Sequence, residues 1–163
     1  VILYNVPGRT GVDIKPETYA QLAKHPNIVA AKEANGNITA VARTRALCGD
    51  SLDIYSGNDD QIVPILSLGG KGVVSVLANV APRQAHDICQ LYFDGKTAES
   101  AALQIKLIGL IDALFADVNP IPVKKAMNLL GWQAGSCRLP LVDPSDAVVE
   151  LLREQMARCG VTR

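Results

Sequence analysis

Short apolar runs alternate with longer amphipathic stretches through the first part of the chain. Residues 1–4 are apolar and predict a strand. Asn5-Val6-Pro7-Gly8-Arg9-Thr10-Gly11 follows and, by its proline and two glycines, predicts a loop. A helix is expected from about Lys15 or Pro16, because proline suits a first turn and Glu17 stands beside it. Pro26-Asn27 closes that helix. A second apolar run, 28–31, leads directly into Lys32. Asn37 is placed to cap the next helix, which reaches Cys48 and stops at Gly49. Residues 52–55 predict a third strand, closed by Ser56-Gly57-Asn58-Asp59-Asp60. A helix over about 60–68, a Gly69-Gly70 stop, a fourth strand over 72–76 and a helix over about 82–93 complete this part.

Four strand–helix units in succession predict an α/β fold with a parallel sheet. The strands read as continuous apolar runs, as expected when both faces are covered. After Asp94-Gly95 the pattern changes. Residues 96–116 predict one long helix, 118–122 a turn, and 123–130 a second helix. An irregular stretch, 132–144, leads to a last helix over about 145–159. The expected organisation is therefore an α/β part, 1–95, and a helical part, 96–163.

Composition narrows the functional classes. Lys+Arg total 16 and Asp+Glu total 16, so the net charge is zero. That argues against a nucleic-acid partner or an anionic membrane surface. No apolar run approaches the ~20 residues of a membrane span. No secretory leader is visible, so a cytoplasmic setting is the expectation. The four cysteines are widely spaced and read as small buried side chains. At 163 residues the chain is short for an eightfold α/β barrel, which takes about 250. It begins on a strand interior, Val1-Ile2-Leu3-Tyr4, which predicts a segment of something longer.

In parallel α/β folds, functional groups gather at the C-terminal ends of the strands. Those ends carry Tyr4, with Arg9 in its loop; Lys32 and Glu33; Ser56 to Asp59; and Ser75 and Asn79. Lys32 is the most informative of these. A lysine closing a buried strand must desolvate its stem, and a neutral amine can attack a carbonyl to form a Schiff base. It could equally pair with Glu33 or extend its ammonium to solvent. Tyr4 ends the preceding strand and could move protons beside Lys32, or simply pack. Arg9 suits a carboxylate ligand, or is an ordinary surface arginine. Gly57 allows close backbone approach, or only a turn. Gly69-Gly70-Lys71-Gly72 precedes a strand and so is no phosphate loop. His25 and His86 lie away from strand ends and read as structural.

These segments resemble a known family. Tyr4-Asn5-Val6-Pro7-Gly8-Arg9-Thr10-Gly11, Asn27-Ile28-Val29-Ala30-Ala31-Lys32-Glu33-Ala34, Tyr55-Ser56-Gly57-Asn58-Asp59, Gly69-Gly70-Lys71-Gly72-Val73-Val74-Ser75-Val76 and Asn119-Pro120-Ile121-Pro122-Val123-Lys124 are similar, in order, to dihydrodipicolinate synthases. These belong to the pyruvate-dependent class I aldolases, with N-acetylneuraminate lyase. The resemblance implies the second half of a (β/α)8 TIM barrel, four βα units, followed by a C-terminal helical domain. It implies an imine between Lys32 and pyruvate, with no metal or organic cofactor. Tyr4 would relay protons, Arg9 would hold the carboxylate of L-aspartate 4-semialdehyde, and Gly57 and the Val74 main chain would line the pyruvate pocket. The partners implied are the missing N-terminal half of the barrel and, for the complete protein, a homotetramer. Arg9 favours the synthase over the alternatives, a sialic-acid or 2-keto-3-deoxy-sugar lyase. A non-catalytic half-barrel is a further alternative. Asn35 and Asn58 depart from the usual threonine and aspartate near the pocket.

Overall fold

A computed structural model describes residues 1–162. Four strands form one sheet: β1 (Ile2–Asn5), β2 (Ala30–Glu33), β3 (Asp53–Ser56) and β4 (Gly72–Val73). They pair in sequence order, and every pair is parallel. Sequential parallel order has no reversal point, unlike a doubly wound sheet.

The first strand ends in a surprise. Where a loop is expected, Pro7–Thr10 forms a single helical turn, α1. Pro7 supplies a first helical residue that needs no N–H bond. Gly11 then closes the turn at φ 69°, donating its N–H to the Pro7 carbonyl. Two residues read as breakers are here the two boundaries of a helix. The helices α2 (Pro16–Leu22) and α3 (Ile38–Cys48) follow, and Asn37 caps α3 by accepting from the Ala40 N–H at 3.1 Å.

All four strands differ from the expected bounds: the first and third run one residue later, and the second and fourth differ more. The second begins at Ala30 and not at 28, because the Ile28 N–H closes a turn onto the His25 carbonyl. It also extends through Lys32 and Glu33. The fourth is cut to Gly72–Val73, because its ladder partner β3 ends at Ser56. A last N–H bond runs from Val74 to the Ser56 carbonyl at 2.8 Å, and a 3-10 turn, Leu77–Asn79, follows soon after.

The sheet has two unlike faces. Leu3, Ala31 and Ile54 alternate onto one face, where they pack with Tyr19, Val41, Cys48, Leu52 and Ile65. α4 (Ile62–Ser67) contributes the last of these. By the same alternation Ile2, Tyr4, Ala30, Lys32 and Tyr55 share the other face. There Ile2 is 57% exposed and Tyr4 47%.

The chain divides into two compact units, Val1–Ser75 and a second that begins at Val76. The second unit is helical: α5 (Pro82–Phe93), α6 (Thr97–Leu114), α7 (Ile121–Leu129) and α8 (Asp146–Arg158). α6 packs against α5, α7 and α8, burying Leu107, Leu110, Ile111, Leu114, Leu152 and Met156. The Ser100 hydroxyl ties α6 to α5 by donating to the Ile88 carbonyl at 2.7 Å. The compositional change at 95 lies inside this unit. Among the described residues no helix is long and apolar enough to cross a membrane. The four cysteines are free thiols, Cys48 and Cys159 buried and the other two half-buried.

Candidate active site at the strand ends

Three strands deliver the candidate groups at one height. Tyr4 of β1 is the register partner of Lys32 of β2, and Lys32 is the partner of Tyr55 of β3. Neighbouring strands stand about 4.8 Å apart, so equal register on one face brings side chains together. The Lys32 Nζ lies 4.0 Å from the centroid of the Tyr4 ring. Lys32 is half-buried.

Glu33 does not neutralise Lys32. Strand alternation sends it to the opposite face, where it is 5% exposed. There it accepts from Asn5 Nδ2 (3.0 and 3.2 Å), from the Tyr19 hydroxyl (3.0 Å) and from the Asn35 N–H (2.9 Å). Burial raises its pKa above the ordinary 4.5, and the Asn5, Asn35 and Tyr19 donors act against that rise. Tyr19 is pushed up in turn, by burial first and then by the Glu33 charge. Among the described residues Lys32 forms no ion pair, so of the alternatives open to it the carboxylate-paired one is not what the fold builds.

Gly57 stands against the lysine. Its N–H donates to the Glu33 carbonyl at 2.7 Å. A Cβ added there would meet Ala34 Cβ at 2.8 Å, the Glu33 oxygen at 3.1 Å and Lys32 Cε at 3.1 Å. Only glycine leaves the lysine stem where it is. The Ser56 hydroxyl fixes this turn by donating to the Asn58 carbonyl at 2.7 Å. Val74 follows the short β4 and is 46% exposed. Arg9 is exposed in the last turn of α1. Register thus joins Tyr4 and Lys32, Gly57 packs on the lysine stem, and Arg9 rides on a separate turn.

One group escaped the sequence reading. Asn5, Asp13, Tyr19, Glu33 and Asn35 form a polar network behind the strand ends. Asn5 Nδ2 bridges Asp13 Oδ1 (2.9 Å) and Glu33. Asn35 Nδ2 also donates to Asp13, at 3.3 Å. A signal was present: Asn5 and Glu33 fall on the helix-facing side, where a buried polar group must find partners.

The fold is thus a parallel α/β sheet that carries a tyrosine and a lysine in register at its strand ends. Comparison with known proteins gives the family. Residues 1–157 match the dihydrodipicolinate synthetase family, and the chain belongs to that family. It is 52% identical over 163 residues to 4-hydroxy-tetrahydrodipicolinate synthase 1 of Clostridium acetobutylicum, covering all of this chain and 56% of that protein. The solved dihydrodipicolinate synthase of Thermotoga maritima superposes with a TM-score of 0.94 at 45% identity, covering 98% of this chain and 56% of that one. The Acinetobacter baumannii dihydrodipicolinate synthase, chloride-inhibited and complexed with pyruvate, gives 0.94 at 36% identity, with 98% and 55% covered. The chain therefore spans just over half the length of these relatives.

Proposed function

We propose that residues 1–95 are four successive βα units of a (β/α)8 barrel and that residues 96–163 form its C-terminal helical domain. The intact barrel is read as a 4-hydroxy-tetrahydrodipicolinate synthase, a lyase that condenses pyruvate with L-aspartate 4-semialdehyde in lysine and diaminopimelate synthesis. The observation that carries the reading is the register pair Tyr4–Lys32, with the Lys32 Nζ 4.0 Å from the ring centre. Family membership supports it. The uncovered face bearing Ile2 and Tyr4 supports a barrel interior that further strands would close.

In this reading the neutral Lys32 amine attacks C2 of pyruvate, and water leaves to give an imine. Loss of a methyl proton gives the enamine. Its carbon attacks the aldehyde carbon of the second substrate, and the aldehyde oxygen takes a proton. The substrate amine then displaces Lys32 by transimination, closing the ring and freeing the lysine. The imine is itself the electron sink, so Lys32 supplies what an organic cofactor otherwise would. Tyr4 would relay protons to and from the imine nitrogen. Arg9 offers a bidentate donor for the semialdehyde carboxylate. Gly57 and the Val74 main chain wall the pyruvate site.

The chain alone is proposed to be inactive, since half of the pocket belongs to strands outside it. A cytoplasmic setting and a tetramer complete the proposal. Turnover assays of the intact barrel test it. Condensation of pyruvate with L-aspartate 4-semialdehyde is the expected activity. Turnover only of N-acetylmannosamine with pyruvate would assign the barrel to the sialic-acid lyases instead.

A further inference from the structure

The ten residues between Asn5 and the start of α2 return to the residue they left. Asn5 is 1% exposed, and each of its side-chain polar atoms is used. One amide hydrogen serves Asp13 Oδ1 (2.9 Å) and the other is shared by the two Glu33 oxygens. Its Oδ1 accepts the Ile14 N–H at 3.1 Å, and its main-chain carbonyl accepts the Ala34 N–H at 2.9 Å. The orientation of the amide follows from these partners, because only the NH2 end can face two carboxylates. Val6 and Pro7, by contrast, are only half-buried, and residues 8–12 are exposed. They are held by their own turn bonds, Gly11 to Pro7 and the Thr10 hydroxyl to the Val12 carbonyl.

A rigid turn with an exposed surface is therefore fastened to the sheet at both ends by one side chain. The turn carries Arg9. The fastening point, Glu33, is the residue after Lys32. Asn35 strengthens the attachment, because its N–H reaches Glu33 while its amide reaches Asp13. Its departure from the usual threonine thus has a local use.

We propose that Asn5 is a positioning residue for the second substrate: through Asp13 and Glu33 it sets the α1 turn, and with it Arg9, at a fixed distance from the Lys32 amine. The inference rests on the synthase reading above. It separates the two half-reactions. Pyruvate meets Lys32 and needs no contact from the α1 turn. The aldehyde carboxylate needs Arg9 in place, and a misplacement of about 1 Å can cost on the order of 10²-fold.

The test is steady-state kinetics and imine trapping on the intact barrel with Asn5→Ala, Arg9→Ala and the double variant. Asn5→Ala is expected to raise KM for the semialdehyde by about 10-fold or more, with KM for pyruvate and borohydride trapping of pyruvate unchanged. The double variant is expected to be no worse than Arg9→Ala alone, because both changes remove one interaction. Should Asn5→Ala fail to fold, Asp13→Ala releases the far end of the turn from a partly exposed site. It is expected to show the same selective loss, and Asp13→Asn, which keeps the acceptor oxygen, to restore most of it. Proportional rises in both KM values, or losses that multiply in the double variant, would overturn the inference. Failure of the unsubstituted protein to trap pyruvate would instead overturn the underlying synthase reading.

Discussion

Tyr4 and Lys32 are partners across β1 and β2, with the lysine nitrogen 4.0 Å from the centre of the tyrosine ring. Sequence separates them by α1, α2 and the turns around them. The parallel register alone brings them together, because Ile2 pairs with Ala30 and the two strands then advance in step. Shifting β2 by one residue would put Glu33 opposite Tyr4 and turn Lys32 to the helix side. The chemistry of the site depends on that register.

Removing the Tyr4 hydroxyl should therefore cost rate and leave shape. In the intact barrel Tyr4→Phe is expected to lower kcat by about 10²–10⁴-fold, the usual contribution of a positioned proton relay. Its thermal midpoint should stay near that of the parent, since the ring remains. Stopped-flow assay with pyruvate and the semialdehyde measures the first, and calorimetry the second. Unchanged kcat would leave Tyr4 as a packing residue.

Gly57→Ala should disturb the lysine itself. The added methyl meets Ala34 Cβ at 2.8 Å and Lys32 Cε at 3.1 Å, with strand backbone close behind. Overpacking of this kind costs about 1–3 kcal/mol. The expected result is a lower unfolding midpoint together with slower imine formation, read by borohydride trapping over time. A variant that is destabilised but traps pyruvate at the parent rate would show that the stem has room to move.

The two carboxylates of the network respond to pH in opposite senses. Asn5, Lys15 and Asn35 all donate to Asp13 and hold its pKa at about 2, below the ordinary 3.8. Its contribution to stability is present above pH 3.8 and is lost as pH falls toward about 2. Burial raises the pKa of Glu33, so its contribution is present below pH 4.5 and is lost as pH rises through the raised value. The stability advantage of the parent over Asp13→Asn should thus shrink as pH falls below 4. Thermal midpoints of the two proteins across pH 3–6 measure it. A gap that stays constant, or widens toward acid, would contradict the assignment.

Much of this was legible in the chain. Strand–helix alternation gave the parallel sheet, and Asn37 marked a helix start that the structure caps with that side chain. The Tyr4 and Lys32 candidates came from their places at strand ends. What stayed hidden depends on three dimensions. Pro7 and Gly11 fit a loop or a one-turn helix equally well, and hydrogen bonds from Gly11 and Thr10 decide for the helix. The truncation of β4 follows from where its partner ends. The Asn5–Glu33 network joins residues 28 positions apart, and strand alternation gave its face but not its partners.

The central claim is that Lys32 is the imine-forming nucleophile. Incubating the intact barrel with pyruvate, reducing with borohydride and mapping the adduct by peptide mass spectrometry tests it directly. One reduced pyruvate adduct on the peptide that contains Lys32, absent in Lys32→Ala, is the predicted result. An adduct that survives Lys32→Ala, or turnover of both substrates with no adduct at Lys32, would contradict it.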